Sequence, residues 1–332
     1  MSTPADARSI AEGFGRTTAL VVGDVMVDAY LWGRVDRISP EAPVPVVQVT
    51  DRSARLGGAA NVARNLRALG AKAIVASVTG DDADARTLEK LLLDEGLGAQ
   101  GIVRSGARRT TVKTRIISGH QHVVRVDEET EEPITAREEE LLLARVTALL
   151  DGERPGVLVL EDYDKGVLTE RVIKGVIAAA HARGIPVAVD PKKRNFFAYR
   201  GADLFKPNLK ELREGLKIGL DAGDIGGVRT AVRTLEERLG NRASLITLSE
   251  HGVYAHRAGE QVALPAHERK IVDVSGAGDT VIATAALCLA QGLPLRTLAA
   301  WSNLAGGLVC EHTGVVPVDK DQLVREAERL GV

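Results

Sequence analysis

Short apolar runs rich in β-branched residues alternate along the chain with longer segments in which apolar residues recur at helical spacing. This alternation predicts βαβ units, and hence an α/β fold with an open, mostly parallel sheet covered by helices on both faces. The predicted strands are residues 18–22, 73–78, 157–160, 186–189, 204–206 and 244–248. The predicted helices are residues 60–69, 82–95, 136–150, 170–183, 228–239, 280–291 and 295–312.

Two segments break this alternation, because residues 44–49 and 108–127 follow a two-residue period without a helix beside them. They predict a small β-sheet, formed by about 30–50 and 108–128, that serves as a lid over the carboxyl ends of the main strands. The 332 residues are interpreted as one domain that carries this lid. Apolar Val44, Val46 and Val47 predict that the small sheet pairs with that of a second copy, giving a homodimer.

Composition removes several classes of function. The 43 basic and 45 acidic residues give a net charge of -2, so no basic excess points to nucleic acid. Cys288 and Cys310 lie in apolar stretches without CxxC spacing, which argues against a disulfide framework or a zinc site. No apolar run reaches the roughly 20 residues of a membrane span, and residues 1–16 lack a signal-peptide core. The cytoplasm is therefore the expected compartment.

The stretch 273–280, DVSGAGDT, follows a predicted strand at 270–272 and opens an apolar helix. Backbone N–H groups of Gly276, Ala277 and Gly278 can converge on one anion, helped by the positive end of the helix dipole. Asp279 would repel a phosphate, but it can accept a proton from an attacking hydroxyl. The alternative is that Asp279 is a helix N-cap and the glycines only form a turn.

This stretch resembles the D-x-[ST]-G-A-G-D signature of the ribokinase-like (PfkB-type) carbohydrate kinases, and further motifs extend the resemblance from Gly23 to Gly314. The resemblance implies a sugar kinase that uses ATP and Mg²⁺, with Asp279 as the catalytic base and 276–278 as the anion hole. A monovalent cation could lie near Asp273 and Gly314. The runner-up interpretations are a fructokinase, ribokinase or phosphofructokinase-like enzyme, or a non-catalytic binding module of the same fold.

A second motif of that family, two glycines followed by an asparagine, matches RLGGAAN. The resemblance implies that Gly57, Gly58 and Asn61 contact the sugar, whereas a plain turn before a helix starting at Ala59 is the alternative. Asp28, in GDVMVD, matches a further sugar contact of the family.

The nucleotide side of the resemblance rests on shorter matches. KPNLKEL resembles the family's N-x-x-E motif, so Asn208 and Glu211 are expected to help place magnesium and the phosphates indirectly; the same pair also fits a capping box. Lys192 could neutralise phosphate charge. The remaining nucleotide contacts implied by the resemblance are Ser249, Glu250, Gly252 and Asn303.

The segments DRISPEAPVPVV and TRIISGHQHVVRVD look most like the D-glycero-β-D-manno-heptose 7-phosphate kinases of lipopolysaccharide core synthesis, which phosphorylate the anomeric hydroxyl. A phosphorylated heptose needs fixed polar partners, and the candidates on the small sheet are Lys113, Arg115, Gln121 and Arg125. The alternative for each of these cations is a solvated basic face, and Asp127 is an alternative partner for one of the arginines.

Two departures accompany this resemblance. Asp164 stands in DYDKG where glycine is common, which puts a tight backbone role at that position in doubt. The sequence ends at Val332 without the HxGH-type motif of a nucleotidyltransferase, so adenylyl transfer is expected to fall to a separate protein.

Overall fold

A computed structural model describes residues 6–119 and 121–332. Its helices are α1 (Ala7–Phe14), α2 (Ala59–Ala68), α3 (Ala83–Asp94), α4 (Ala136–Glu153), α5 (Glu170–His181), α6 (Leu209–Leu216), α7 (Ile225–Leu239), α8 (Ala277–Ala290), α9 (Leu295–Val309) and α10 (Lys320–Leu330). Its strands are β1 (Thr18–Gly23), β2 (Val25–Ile38), β3 (Pro45–Gly58), β4 (Lys72–Gly80), β5 (Gly98–Ser105), β6 (Thr111–Ser118), β7 (Gln121–Glu128), β8 (Val157–Glu161), β9 (Val187–Asp190), β10 (Leu204–Phe205), β11 (Ala243–Thr247), β12 (Val253–Arg257) and β13 (Glu260–Leu264).

The predicted α/β architecture is confirmed by a sheet of nine strands within the described residues, in the order β13-β12-β11-β10-β9-β8-β1-β4-β5. The strands run parallel except for β12, which is antiparallel to both of its neighbours. Both faces are covered: Ala19 and Val21 of β1 point into one apolar cluster with α1–α3 and α8–α10, while Leu20 and Val22 point into another with α4–α7. This double burial explains why the central strands are continuously apolar.

The second sheet has the order β3-β2-β6-β7, and β2 pairs parallel with β6. It is longer than predicted at its N-terminal part, because β2 begins at Val25 and β3 continues to Gly58. Strands β6 and β7 pair in an antiparallel hairpin, as the two-residue period of 108–127 predicts. His120, which the sequence places in that turn beside His122, lies outside the described residues, as do residues 1–5 of the N-terminal segment.

One predicted strand is wrong. Residues 270–272 adopt no regular structure; the backbone N–H of Val272 instead donates to the carbonyl of Cys310 at 2.8 Å. The helix that follows begins at Ala277, three residues earlier than the pattern predicts. Both cysteines are free and buried, and none of the helices in the described ranges is long and apolar enough to cross a membrane.

The carboxyl ends of three central strands meet at one edge of the large sheet. Gly23 of β1 is in register with Glu161 of β8, which is in register with Asp190 of β9. The first turns of α2 and α8 approach each other there, as the bond between Asn61 and Asp279 shows. Open parallel sheets bind ligands at such an edge, so polar side chains at these positions mark the candidate site.

Candidate active site

Asp279 lies in the first turn of α8 and is only 5% exposed. The N-cap of this helix is Gly276, whose φ of 80° lies in the left-handed region that favours glycine. The interpretation of Asp279 as the N-cap is therefore wrong, and its side chain is free to act elsewhere. Ala277 and Gly278 follow Gly276 directly, so their backbone N–H groups stand at the start of the helix; that of Ala277 makes a long 3.3 Å bond to the carbonyl of Val274, and that of Gly278 has no intrahelical acceptor.

Both oxygens of the Asp279 carboxylate accept hydrogen bonds from distant parts of the chain. Asn61 Nδ2 donates to Oδ2 at 2.6 Å, and the Tyr163 hydroxyl donates to Oδ1 at 2.7 Å. Burial raises the pKa of Asp279 to about 6, and the two donors oppose this by stabilising the anion. A carboxylate with a pKa just below neutrality is well suited to accept a proton.

The glycine pair before α2 brings the small sheet close to Asn61. Gly58 is the N-cap at φ 59°, and a Cβ on Gly57 would lie 2.7 Å from Asp28 Oδ2. The helix does start at Ala59, as the plain-turn interpretation also predicts. Asn61 is 1% exposed, and its Oδ1 has no hydrogen-bond partner among residues 6–119 and 121–332, so it is available to a ligand hydroxyl.

The predicted cations of the small sheet lie in two rows across β2, β6 and β7. Lys113 is in register with Asp28 and Asp127, and Arg115 is in register with Tyr30 and Arg125. Side chains one strand apart at these positions share a face, as predicted for Lys113 and Arg115.

Most of this positive charge is already neutralised within the chain. Lys113 Nζ lies 3.0 Å from Asp127 Oδ2 and 2.6 Å from Glu129 Oε2. Arg125 donates twice to Asp127, at 2.8 and 3.0 Å, and Arg115 pairs with Asp28. The arrangement is not a free basic face; it agrees with the expected alternative in which Asp127 pairs with one of the arginines.

Two further residues of this face, Tyr30 and Arg55, went unnoticed in the sequence. The guanidinium carbons of Arg55 and Arg115 lie 5.1 and 5.5 Å from the ring centroid of Tyr30, which is cation–π contact distance. Arg55 also donates to the carbonyl of Val315 at 3.0 Å, which ties β3 to the segment after α9. Gln121, by contrast, is exposed at the first position of β7.

Two lysines, Lys206 and Lys192, lie at the same edge of the large sheet. Lys206 Nζ lies 2.7 Å from Asp190 Oδ2, and these side chains are 3% and 5% exposed. A Cβ on Gly278 would lie 3.8 Å from that same Nζ, so the loop and Lys206 are adjacent. Lys206 lies in the KPNLKEL segment but was not singled out from the sequence, because its buried partner is remote along the chain.

Lys192 lies beside the ring of Tyr163. Its Nζ is 2.7 Å from Glu211 Oε1 and 5.0 Å from the Tyr163 ring centroid. Burial opposes the charged form of Lys192, but the carboxylates of Asp190 and Glu211 outweigh it and raise the pKa. The ammonium is therefore a permanent charge at this edge.

The capping-box interpretation of Asn208 and Glu211 is confirmed. Asn208 Oδ1 accepts from the Glu211 N–H at 2.8 Å, and Glu211 Oε2 accepts from the Asn208 N–H at 2.8 Å. Both carboxylate oxygens of Glu211 are thus engaged, one by the cap and one by Lys192. Within the described ranges, no group of three or more His, Cys, Asp or Glu side chains is placed to hold a metal ion by itself.

Glu161 is a carboxyl group that the sequence did not indicate. It is fully buried, and neither of its oxygens has a hydrogen-bond partner in the described part of the chain. Burial, together with the nearby charges of Asp190 and Asp279, raises its pKa well above the usual range. Burial and these neighbouring carboxylates therefore disfavour the charged form of Glu161.

The loop that carries Tyr163 is fixed by Asp24. The Asp24 carboxylate accepts from the backbone N–H groups of Tyr163, Lys165 and Val167 at 2.8, 3.1 and 3.1 Å. Asp164 in this loop has a φ of 56°, so the position does require a left-handed backbone although the side chain is not glycine. The doubt raised by the sequence about a tight backbone role is resolved in favour of that role.

The remaining predicted nucleotide contacts converge on another stretch. Ser249 and Glu250 form a 3₁₀ turn after β11, and Gly252 at φ 86° follows it. A Cβ on Gly252 would meet the backbone of Pro265 at 2.5 Å, and Asn303 Nδ2 donates to the carbonyl of Pro265 at 2.8 Å. Gly252 and Asn303 therefore both border the segment at Pro265. The side chain of Glu250 is 81% exposed and points to solvent.

Comparison with known proteins agrees with this geometry. Residues 16–321 match the model of the pfkB family carbohydrate kinases. The chain is similar to proteins named bifunctional protein HldE, with 46% identity over 316 residues in Caulobacter vibrioides and 43% over 306 residues in Syntrophotalea carbinolica. These matches cover 95% and 92% of this chain but 64% and 62% of those proteins, so the chain spans about two thirds of their length.

Solved structures share the fold at lower identity. Phosphofructokinase-2 from Escherichia coli in complex with potassium superposes with a TM-score of 0.78 at 21% identity, covering 95% of this chain and 99% of that one. Ribokinase from Arabidopsis thaliana, complexed with ribose and ATP, gives a TM-score of 0.71 at 18% identity, covering 93% and 99%. The extent of the family match, taken with the buried aspartate on the anion loop, shows that this chain is a sugar kinase and belongs to the pfkB family of carbohydrate kinases.

Proposed function

We propose that this kinase transfers the γ-phosphoryl group of ATP to the anomeric hydroxyl of D-glycero-β-D-manno-heptose 7-phosphate. The product is the 1,7-bisphosphate, an intermediate for ADP-heptose and the lipopolysaccharide inner core. The observation that carries the proposal is the group of Lys113, Arg115 and Arg125 on one face of the small sheet. The resemblance of the flanking segments to heptose 7-phosphate kinases and the similarity to HldE proteins support the same substrate.

Asp279 is the proposed base. Its carboxylate accepts the proton of the attacking hydroxyl while Asn61 and Tyr163 hold both oxygens in place. The N–H groups of 276–278 face the charge that develops on the transferring phosphoryl group. Because α8 begins at Ala277, the positive end of its dipole adds to that stabilisation.

The sugar lies between the two sheets in this proposal. Asp28 and the free Oδ1 of Asn61 accept hydrogen bonds from ring hydroxyls, and Gly57 and Gly58 leave room for the sugar to approach the backbone. The 7-phosphate takes the place of Asp127 on Arg125 and Lys113, because a phosphate dianion competes well with one carboxylate for two cations. Gln121, at the end of the same strand, borders that subsite.

The nucleotide side is assigned to Lys192 and to the groups that border Pro265. Lys192 keeps its charge and stands next to Tyr163, so it can pair with an ATP phosphate. Ser249, Gly252 and Asn303 line the segment at Pro265 and form the proposed adenosine contact, with Glu250 at its solvent edge.

The donor set suits a hydrated magnesium ion. Asp190 Oδ1 is buried without a partner among the described residues, and the Glu211 carboxylate lies beside Lys192 and next to Asn208. Magnesium keeps several waters and uses one or two protein carboxylates plus phosphates, so the unpartnered Oδ1 of Asp190 would hold it directly. Glu211, whose two oxygens are engaged, would act through a bound water, with Asn208 positioning it. When bound, the ion neutralises charge on the ATP phosphates.

A monovalent cation and a second protomer complete the proposal. Asp273 accepts from the N–H of Ser275 and of Gly314 at 2.9 Å each, which closes the loop where a potassium ion would sit. On the small sheet, Val124 and Val126 are 48% and 47% exposed on the face opposite Arg125. This uncovered apolar face supports a homodimer through the small sheets, and a monomer mass by light scattering would exclude it.

The test is ADP release with ATP and magnesium across a sugar panel: the heptose 7-phosphate, ribose, fructose and fructose 6-phosphate. The expected result is turnover confined to the heptose 7-phosphate. Turnover on another sugar would keep Asp279 as base and reject the heptose assignment. No turnover on any sugar would favour a binding module.

A further inference from the structure

A pocket of about 360 Å³ opens at the edge of the large sheet opposite the active site. Its walls come from the C-terminal ends of α2 and α3 and from the segment before α10. The α2 helix connects the two sites, because Asn61 in its first turn touches Asp279 while its last turn lines the pocket. The lining residues are Arg64, Arg67, Ala68, Gly70, Ala71, Glu95 and Pro317.

Three cationic side chains, Arg64, Arg67 and Lys320, and one carboxylate, Glu95, border this pocket. Arg64 Nε lies 2.8 Å from Glu95 Oε1, yet its Nη1 is buried without a hydrogen-bond partner in the described ranges. Arg67 lies over Gly96, where a Cβ would be 2.7 Å from Nη2, and Lys320 Nζ would be 3.0 Å from a Cβ on Gly70. Among the residues that the structure describes, neither Arg67 nor Lys320 forms an ion pair.

These arginines are not needed to close the end of α2. The carbonyls of Asn65, Leu66 and Arg67 already accept from the N–H groups of Leu69, Ala71 and Gly70 at 3.0, 3.0 and 2.8 Å. Apart from the contact between Arg64 Nε and Glu95, the donors Arg64 Nη1, Arg67 and Lys320 have no side-chain acceptor among the described residues. A buried, unpartnered guanidinium nitrogen is costly unless a ligand or water satisfies it.

We propose that this rear pocket binds a phosphate group, either as inorganic phosphate or as a small phosphate monoester. Guanidinium groups match phosphate oxygens in a bidentate manner, and an ammonium adds a point charge. Arg64 Nη1 and Arg67 take two oxygens, and Lys320 takes the third from the α10 side. The site is separate from the phosphoryl-transfer edge and does not depend on the identity of the sugar substrate.

The test follows the ³¹P line width of inorganic phosphate added to the full chain, with the active site filled by magnesium and a non-hydrolysable ATP analogue. The variant is Arg67→Ala/Lys320→Ala. The matched control is Arg86→Ala/Lys90→Ala on α3, which also removes one arginine and one lysine. We expect broadening with the wild type and the control, and a dissociation constant at least about 10-fold higher for the variant, since each charge-assisted bond is worth about 1.5–3 kcal/mol.

Absence of broadening with the wild type, or equal binding by the variant, would overturn the proposal. Thermal unfolding without phosphate should be the same for the variant and the control, which separates lost binding from lost folding. A parallel titration with glycerol 3-phosphate distinguishes the two sources of the phosphate group: tighter binding than inorganic phosphate assigns the site to a monoester, and weaker binding assigns it to free phosphate.

Discussion

The hydroxyl of Tyr163 donates a 2.7 Å hydrogen bond to Oδ1 of Asp279, although 116 residues separate them along the chain. Asn61 donates to the other oxygen, so the carboxylate is held from two sides. Burial favours the protonated acid, and the two donors favour the anion. The balance sets the pKa of Asp279 near 6, which leaves the base mostly deprotonated at neutral pH.

Tyr163→Phe removes one of the two donors and should raise the pKa of Asp279. The acid limb of kcat/KM, expected near pH 6 in the wild type, should then move upward by about one pH unit, because a hydrogen bond to a charged group is worth about 1.5 kcal/mol or more. A pH–rate profile in the presence of saturating ATP measures this. An unmoved acid limb would show that Tyr163 does not act through Asp279.

Tyr199→Phe is the matched control. Tyr199 is also buried and donates to a carboxylate, that of Asp162, at 2.6 Å. Because it does not contact Asp279, its loss should lower stability without moving the acid limb of the rate profile.

Asp279→Asn replaces the proton acceptor by an amide that cannot take a proton. Turnover should fall by roughly 10²-fold or more while the KM for the sugar changes little, since the amide keeps the volume of the side chain. Steady-state ADP release measures both constants. Near-normal turnover would reject Asp279 as the base.

The sequence was sufficient to predict the fold and the loop at 276–278 because these features are local. Continuous β-branched strands, helical periodicity and a glycine with a left-handed φ at Gly276 each leave a mark within a few residues. Two short motifs of one family predicted that Asn61 and Asp279 belong to the site, but not that they touch. The structure adds the 2.6 Å distance between Asn61 Nδ2 and Asp279 Oδ2 and the burial of both side chains.

The rest depends on contacts that no local pattern shows. Asp127 neutralises Lys113 because the β6–β7 register places the two side chains opposite each other, whereas Arg125 meets Asp127 two residues along the same strand; the register is not visible in the composition of either strand. The predicted small sheet included only the later part of β2, because it was expected to begin at about residue 30, whereas β2 begins at Val25. Tyr163 was overlooked because its partner lies on α8.

Arg125→Ala should raise the KM for the phosphorylated sugar by about 10-fold with little change in kcat, because it removes a phosphate contact that the reacting centre does not share. Arg109→Ala is the control, since both side chains are 57% exposed and both pair with a carboxylate beside the same hairpin. Steady-state kinetics at saturating ATP distinguishes them. Equal KM values for the two variants would place the sugar phosphate away from Arg125.

Asp164→Gly should increase the free energy of unfolding by about 0.5–1 kcal/mol. The φ of 56° strains a residue that carries a Cβ, and Asp164 Oδ1 is buried without a partner among the described residues. Asp164→Ala keeps the strain and should be no more stable than the wild type. Urea unfolding compares the three proteins, and a less stable glycine variant would contradict the backbone explanation.

Lys206→Met should lower the free energy of unfolding by about 3 kcal/mol or more, because it leaves the buried carboxylate of Asp190 without its cation. Burial already raises the pKa of Asp190 and of Glu161, and loss of Lys206 raises both further. An acid whose pKa is higher in the folded state destabilises the fold as pH rises through that pKa. The loss should therefore be larger at pH 8 than at pH 5. Asp190→Asn in the same chain should recover much of the stability at pH 8, and urea unfolding of both variants at the two pH values measures it. An equal loss at both pH values would mean that Lys206 stabilises the fold by packing and not by its charge.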